Sequence, residues 1–261
     1  MVQRNSFQTD WVGQEVLYYT SIDSTNSEVK RIAATGAAHG MLVIADEQTG
    51  GKGRLGRSWS TPIGTAVAMS LLLRPEIKPQ KAQMLTLVMG LAVTTACKEL
   101  TGLPVEIKWP NDVTIHGKKL CGILTEMSAE IDKIHYVVIG VGINVDMREF
   151  PAEIATTATS LALETEVVPL REELISCCLK KFEYYYEQFL KTEDMALLRP
   201  IYQGLLANLN REVRVLEKDN EYTGIATGIN DKGELLVEKI DGQCAAVRGG
   251  EVSVRGLYGY V

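Results

Sequence analysis

Residues 105–145 read VEIKWPNDVTIHGKKLCGILTEMSAEIDKIHYVVIGVGINV, and the alternation of strand runs with turn residues in this stretch decides the fold class. Residues 105–108 form a strand. Trp109-Pro110-Asn111-Asp112 is a turn, because proline presets φ and Asn and Asp side chains bond their own backbone. A short strand follows at 113–115. His116-Gly117-Lys118 is a hairpin turn into a strand at 120–127, and residues 136–145 make another strand. Short strands joined by tight turns make an antiparallel meander.

Working outward toward the N-terminus, apolar residues recur at 84, 85, 88, 91, 92 and 96. That spacing predicts a helix over 79–100, ended by Gly102. Residues 65–73 are a long apolar strand stopped by Arg74-Pro75, and residues 41–45 and 16–19 are further strands. Thr25-Asn-Ser-Glu28 has the pattern of a capping box, opening a helix that runs to Thr35 and stops at Gly36. Downstream, residues 170–190 predict a long amphipathic helix and residues 193–206 a second one. The texture changes near Leu209, where strand runs at 212–217, 222–229, 235–240, 245–247 and 252–255 are separated by Asp, Asn and Gly turns. Strands at this spacing predict a small β-barrel, with the domain boundary at residue 208: a catalytic domain over 1–208 and a barrel over 209–261.

Composition narrows the function. The chain has 261 residues, 46% hydrophobic and 23% charged, with a net charge of −6. An acidic balance argues against a general nucleic-acid surface, which needs a basic face. The sequence has no run of eighteen apolar residues and its first eleven residues are polar, so the expectation is a cytoplasmic protein without a membrane span. Cys97, Cys121, Cys177, Cys178 and Cys244 form no CxxC pair and read as free thiols of a reducing compartment. Three histidines, none at ligand spacing from a cysteine, assign no metal site.

The chemistry concentrates in five segments. Residues 48–59, Gln-Thr-Gly-Gly-Lys-Gly-Arg-Leu-Gly-Arg-Ser-Trp, pack four glycines and three cations into twelve positions between two strands. Glycine permits close backbone approach, and interleaved cations suit a phosphate or another anion that must be wrapped. The spacing fits neither a Walker loop nor a dinucleotide fingerprint. Ser24-Thr25-Asn26 caps a helix or faces a polar ligand head. Lys108-Trp-Pro-Asn-Asp112 gathers a cation, an indole and an acid on one turn, or is a structural turn with Trp109 in the core. Lys118-Lys119-Leu-Cys-Gly-Ile-Leu124 places two lysines before an apolar strand, where solvated surface is the ordinary reading. Gly140-Val-Gly-Ile-Asn144 ends a strand with small residues, leaving room for a flat ligand or for tight packing.

Together these segments resemble the biotin protein ligases, in the family's order and spacing, from Val16 to Arg255. The matching motifs are Gly51-Lys-Gly-Arg-Leu-Gly-Arg57 with Trp59, Lys-Trp-Pro-Asn-Asp at 108–112, Lys-Leu-x-Gly-Ile at 119–123 and the glycine strand at 140–144. The resemblance implies an α+β fold with a central mixed, largely antiparallel sheet flanked by helices, akin to class II aminoacyl-tRNA synthetases, and a small C-terminal β-barrel. It implies an enzyme that joins biotin and ATP into biotinyl-5′-AMP and pyrophosphate, then transfers biotin to a lysine of a biotin carboxyl carrier protein. Mg²⁺ is implied with ATP.

The resemblance also assigns roles. Ser24, Thr25, Asn26, Gln48, Gly122 and Gly140 fall on the biotin site. Lys52, Gly53 and Arg54 fall on the part of the loop that closes over biotin and the adenylate. Gly51, Arg57, Trp59, Gly142 and Asn144 fall on the nucleotide side. Lys119 falls where the biotin carboxylate and α-phosphate meet, and Asp112 where the acceptor lysine approaches; with Arg54 these are the implied catalytic residues. Arg248-Gly-Gly-Glu251 and Arg255 fall where some relatives contact nucleotide. Lys52 replaces the family's usual arginine, which keeps the charge and loses the planar fork. Bifunctional relatives carry an N-terminal DNA-binding domain for which some fifteen residues before the first strand leave no room. The expectation is therefore the short, monofunctional class without DNA binding. Relatives often pair through the central sheet, so a homodimer is one implied arrangement. The competing readings are a lipoate–protein ligase, a non-enzymatic biotin sensor or repressor, and a Gly/Arg nucleic-acid module.

Overall fold

The structure, a computed structural model, describes residues 2–4, 7–217, 220–249, 253–256 and 260–261. The main body is an eight-stranded sheet built from β1 (Val2–Arg4), β2 (Glu15–Ile22), β3 (Leu42–Gln48), β4 (Ala66–Leu73), β5 (Val105–Lys108), β6 (Asp112–Ile115), β7 (Lys118–Ala129) and β8 (Ile134–Asn144). Its order is β1-β2-β3-β4-β8-β7-β6-β5. Only β2 and β3 run parallel, joined by helix α1 (Thr25–Ala34); every other neighbouring pair is antiparallel. The meander expected over 105–145 is present as β5 to β8. Its His116-Gly117 turn has φ of 49° and 75°, the two positive values that let a two-residue hairpin follow the strands' twist.

Alternation along the strands sorts the two faces of the sheet. Val67, Met69, Leu71 and Leu73 of β4 and Val137, Ile139, Val141 and Ile143 of β8 join one large core. That core is closed by α2 (Met84–Thr101), entered through a 3-10 turn at Pro79–Lys81, and by α4 (Arg171–Thr192), which packs on α2. Residues 79–101 are apolar and long enough to cross a membrane, but their apolar sides are taken by the sheet and α4. On the opposite face, Val29 and Ala33 of α1 pack on Val43, Leu72 and Val138. The rest of that face is left for the site.

Several expectations are corrected in detail. The α1 cap is Ser24, whose hydroxyl accepts from the Ser27 amide at 3.4 Å, and not a box of Thr25 with Glu28. Glu28 turns outward to Tyr19 and Arg31. A short helix α3 (Leu161–Glu164) lies in a stretch that had no predicted element. The helix expected over 193–206 shrinks to α5 (Arg199–Gln203), because the backbone after it pairs with the β5 edge instead: Ile107 N–H donates to Leu205 O at 2.7 Å and Ala207 N–H to Ile107 O at 2.8 Å.

The C-terminal strands β9 (Glu212–Glu217), β10 (Asn220–Ile229), β11 (Leu235–Lys239), β12 (Cys244–Val247) and β13 (Ser253–Gly256) form an antiparallel sheet. Its order is β12-β11-β10-β9-β13. Its two outer strands are not paired with each other among the described residues, so the sheet stays open where a closed barrel was expected. Val213, Val215, Val237 and Val247 are buried in the same core as the main body. Trp109 joins the two parts: its Nε1 donates to Gly233 O and its amide to Asn208 Oδ1, each at 2.9 Å.

Candidate functional site

The face of the sheet beside α1 is lined with small side chains. Ser70 of β4 lies opposite Gly140 of β8, and Ala68 opposite Gly142. Gly122 and Leu124 of β7 lie opposite Gly142 and Gly140. A Cβ at Gly140 would come within 2.8 Å of Asn26 Cγ, and one at Gly142 within 2.5 Å of Trp59 Nε1. Glycine is required here by contact: α1 and the loop lie directly on the strand.

A polar cluster closes one end. Gln48 Oε1 accepts from the Thr25 amide at 2.9 Å and lies 3.0 Å from the Thr25 hydroxyl, and its Nε2 reaches Thr61. Ser70 Oγ lies 2.7 Å from Thr25 Oγ1 and 2.6 Å from Asn26 Oδ1. The Asn26 amide is fixed from behind, its Nδ2 donating to Glu126 Oε2 at 2.8 Å while Lys30 pairs with Glu126 Oε1 at 2.8 Å. Burial works to raise the Glu126 pKa, but the hydrogen bonds from Lys30 and Asn26 outweigh it and hold the acid below its ordinary value. Ser24, Thr25 and Asn26 are buried, so together they are more than a helix cap.

The glycine-rich loop folds over this face as a narrow hairpin. Gly53 N–H donates to Arg57 O at 2.7 Å and Trp59 N–H to Gly51 O at 2.9 Å, around a 3-10 turn at Arg54–Gly56. Trp59 packs against Gly142 and Gly122, with Lys119 Nζ 5.7 Å from its ring centroid. Its buried Nε1 has no hydrogen-bond partner among the described residues.

A charged cluster occupies the other end. Lys119 Nζ pairs with Asp112 Oδ1 at 2.7 Å, and Asn111 Nδ2 donates to the same oxygen at 3.1 Å. Arg54 donates to Asn111 Oδ1 at 2.5 Å. Burial pushes the Arg54 pKa down, which the Asp112 charge opposes and Arg57 reinforces. Lys108 is buried, and desolvation drives its pKa down to about 8; Asp112 opposes this, while Lys119, Arg255 and Arg57 add to it. Tyr260 covers Lys108, with Nζ 3.4 Å from the ring centroid, and its hydroxyl donates to Asp112 Oδ2 at 2.5 Å. Five cations, Arg54, Arg57, Lys108, Lys119 and Arg255, around one carboxylate favour polyphosphate.

Of the sixteen site residues read from sequence, Ser24, Thr25, Asn26, Gln48, Lys52, Gly53, Arg54, Trp59, Lys119, Gly122, Gly140 and Gly142 line one cavity. Asp112 and Arg57 line the adjoining one with Lys108, Arg255 and Tyr260. Gly51 supports Trp59 through its backbone. Asn144 donates from its side chain to Thr159 O at 2.9 Å, fastening the segment that bridges to Lys119. Arg248 turns to Glu234, and Gly250 and Glu251 lie outside the described residues. Sequence reasoning assigned no role to Ser70, Glu126, Asn111 or Tyr260. The alternation of β4 and β7 could have flagged the first two; nothing local marks Tyr260. Among the described residues no group of three His, Cys, Asp or Glu side chains is arranged around a common point. Asp112 is the one acid among the described residues lining the cationic cavity and could reach a magnesium ion that arrives with ATP still held by phosphate and water.

Comparison with known proteins agrees with this layout. Residues 18–144 match the biotin/lipoate A/B protein ligase family, and residues 209–255 match the biotin protein ligase C terminal domain. The bifunctional ligase/repressor BirA of Bacillus subtilis is 37% identical over 92% of this chain and 74% of its own length. The biotin–[acetyl-CoA-carboxylase] ligase of Mycobacterium tuberculosis is 34% identical over 88% of this chain and 85% of its own. The solved biotin protein ligase of Aquifex aeolicus, in complex with biotin and ATP, superposes with a TM-score of 0.80 at 31% identity, covering 92% of this chain and 98% of that one.

Proposed function

This chain belongs to the biotin/lipoate A/B protein ligase family, and we propose that it is an ATP-dependent biotin ligase acting on a biotin carboxyl carrier protein. The observation that carries the reading is the glycine-faced groove under Trp59, polar at one end and cationic at the other. Biotin's ureido head offers donors and an acceptor, which the Thr25, Asn26, Gln48 and Ser70 cluster can match. A dithiolane ring offers neither and would gain no hydrogen bond from this cluster, which favours biotin over lipoate. The carboxylate tail then reaches Lys119.

In the first half-reaction the biotin carboxylate oxygen bonds to the α-phosphorus and pyrophosphate leaves. Two anions must meet, so the work of the site is charge neutralisation: Lys119, Arg54, Arg57 and Lys108 stabilise the transition state and the departing phosphates. Magnesium supplies further charge neutralisation on the phosphates. In the second half the acceptor amine bonds to the activated carbonyl carbon, the bond to the phosphate oxygen breaks and AMP leaves. Asp112 orients that amine. Trp59 and the loop keep water from the anhydride. No enzyme nucleophile is needed; Cys97, Cys121 and Cys178 are buried with their pKa values pushed up by desolvation, and they are inert.

We read residue 208 as the boundary between the catalytic part and the C-terminal sheet, with the net charge of −6 favouring protein over DNA as the macromolecular partner. The deciding experiment incubates the protein with biotin or lipoate, MgATP and a carrier domain, followed by intact mass. Biotin-dependent mass gain on the carrier is expected. A gain with lipoate alone would overturn the assignment.

A further inference from the structure

Asp112 is held differently at its two oxygens. Oδ1 takes Lys119 and Asn111, at 2.7 Å and 3.1 Å. Oδ2 takes the phenol of Tyr260 at 2.5 Å, from 148 residues further along the chain. The same ring lies across Lys108. One aromatic side chain from the C-terminal segment thus grips the acid and covers the cation at the two ends of the Lys108–Asp112 turn. Burial first, and the neighbouring Asp112 charge second, push the Tyr260 pKa up, so the phenol remains a proton donor across the working range. A carboxylate accepts about four hydrogen bonds. With three taken, Oδ2 keeps one lone pair, and Asp112 lines the cavity.

We propose that Tyr260 is a positioning residue for the transfer half-reaction, its phenol fixing the Asp112 carboxylate so that Oδ2 meets the acceptor amine while its ring keeps water off Lys108. The inference rests on the biotin-ligase reading. In the step concerned, the neutral amine forms the new C–N bond, the carbonyl bond to phosphate oxygen breaks, AMP departs with the electron pair, and the amine proton leaves to solvent. Tyr260 touches none of the reacting atoms; it acts through Asp112 and Lys108.

Two variants separate the two contacts. Tyr260→Phe keeps the ring and removes the donor; Tyr260→Leu removes both. Enzyme loaded with biotinyl-AMP is mixed with a carrier domain, and single-turnover transfer is followed against carrier concentration and pH. Tyr260→Phe should slow transfer at saturating carrier about tenfold, the usual cost of a hydrogen bond to a charged group, and leave the carrier concentration for half-maximal rate in place. Tyr260→Leu should slow it further. It should also move the alkaline limb of the pH profile upward, because Lys108 regains water while Asp112, Lys119, Arg57 and Arg255 around it are unchanged. Tyr260→Phe should leave that limb where it is. Transfer by Tyr260→Phe at the wild-type rate would reduce Tyr260 to a structural anchor, and faster transfer would make it an obstruction; either result overturns the proposal. Wild-type enzyme that forms no biotinyl-AMP would overturn the ligase reading, and this inference with it.

Discussion

Gly142→Ala is the smallest change that tests how the loop and the sheet fit. The added methyl would lie 2.5 Å from Trp59 Nε1 and 2.7 Å from Trp59 Cζ2, where non-bonded carbon contacts settle at about 3.5–4.0 Å. One partner must retreat by roughly 1 Å. The strand is pinned, because Gly142 is paired to Ala68 on one side and Gly122 on the other. Trp59 rides on a hairpin whose residues Leu55 to Ser58 are exposed, so the loop is the part that yields. A displacement of about 1 Å near the reacting groups costs about a hundredfold in rate. Biotinyl-AMP formation, followed as pyrophosphate release at saturating biotin and ATP, should fall by about that factor. Stability should hardly move, since an exposed loop carries little of it: urea unfolding should change by less than about 1 kcal/mol. Trp59 should move toward water, and the tryptophan emission should shift to the red. Pyrophosphate release within twofold of wild type, with emission unmoved, would refute the close packing of Trp59 on Gly142.

Lys119→Ala removes the cation between Asp112 and the groove, and should lower pyrophosphate release by about a hundredfold, or roughly 3 kcal/mol; near-normal release would return Lys119 to an ordinary surface lysine. Lys52 is exposed with one long contact to Ser27 at 3.4 Å, so Lys52→Arg should keep activity, whereas Lys52→Gly should loosen the loop and release biotinyl-AMP. Labelling of bystander lysines reads that release, and labelling no higher than wild type would count against the lid. Gly90→Ala, in mid-α2, places its methyl 3.7 Å from Ile123 Cδ1 and should stabilise the protein by about 0.5–1 kcal/mol, seen as a rise in the urea midpoint. Lys108, held near 8 rather than 10.5 chiefly by burial, makes stability depend on pH. Below about pH 8 both folded and unfolded states carry its charge and the folded state bears the full desolvation cost. Between about 8 and 10.5 the unfolded chain keeps a proton the folded one has shed, so this group's contribution to stability improves as pH rises. Unfolding of Lys108→Met at pH 7 and pH 10 should lack that improvement, and pH dependences that run parallel would contradict the assignment.

What could be read from the sequence follows the range of the interactions. The meander from β5 to β8 was legible because two of its three turns are specified by adjacent residues, Trp109 through Asp112 and His116-Gly117. The site was legible for a related reason: its motifs are short segments at strand ends, where one or two turns bring Lys119 to Asp112 and the loop back to Trp59. Features decided by distant partners were not. Residues 193–206 have helical composition, yet the backbone at 205–207 pairs with Ile107, and a local pattern cannot anticipate an available strand edge. Thr25 looked like the cap because Glu28 follows it at the right spacing; the chain caps with Ser24 because the Thr25 hydroxyl is engaged by Gln48 and Ser70. Tyr260 reaches Asp112 across more than half the chain, and no motif announces it.

The two strongest sequence signals are two sides of one contact. Read separately, a Gly/Arg loop suggests an anion, and a strand ending in Gly-Val-Gly suggests a flat surface. The structure joins them through Trp59, whose indole occupies the space that side chains at 122 and 142 would otherwise fill. Anything flat that enters the groove competes with or packs against that indole, so ligand entry must be felt at Trp59. Trp59 is tied by its amide to Gly51, and Gly53 to Arg57, so a shift of the indole moves the backbone that carries Lys52, Arg54 and Arg57. Occupancy of the groove and placement of the loop cations are therefore mechanically coupled, which is the physical basis for expecting biotin and nucleotide to bind cooperatively. Gly142→Ala acts on this coupling from the sheet side and Lys52→Gly from the loop side. Both should weaken the cooperativity between biotin and ATP in calorimetric titrations. If each ligand instead binds the variants with the same mutual enhancement as in wild type, the coupling does not run through Trp59.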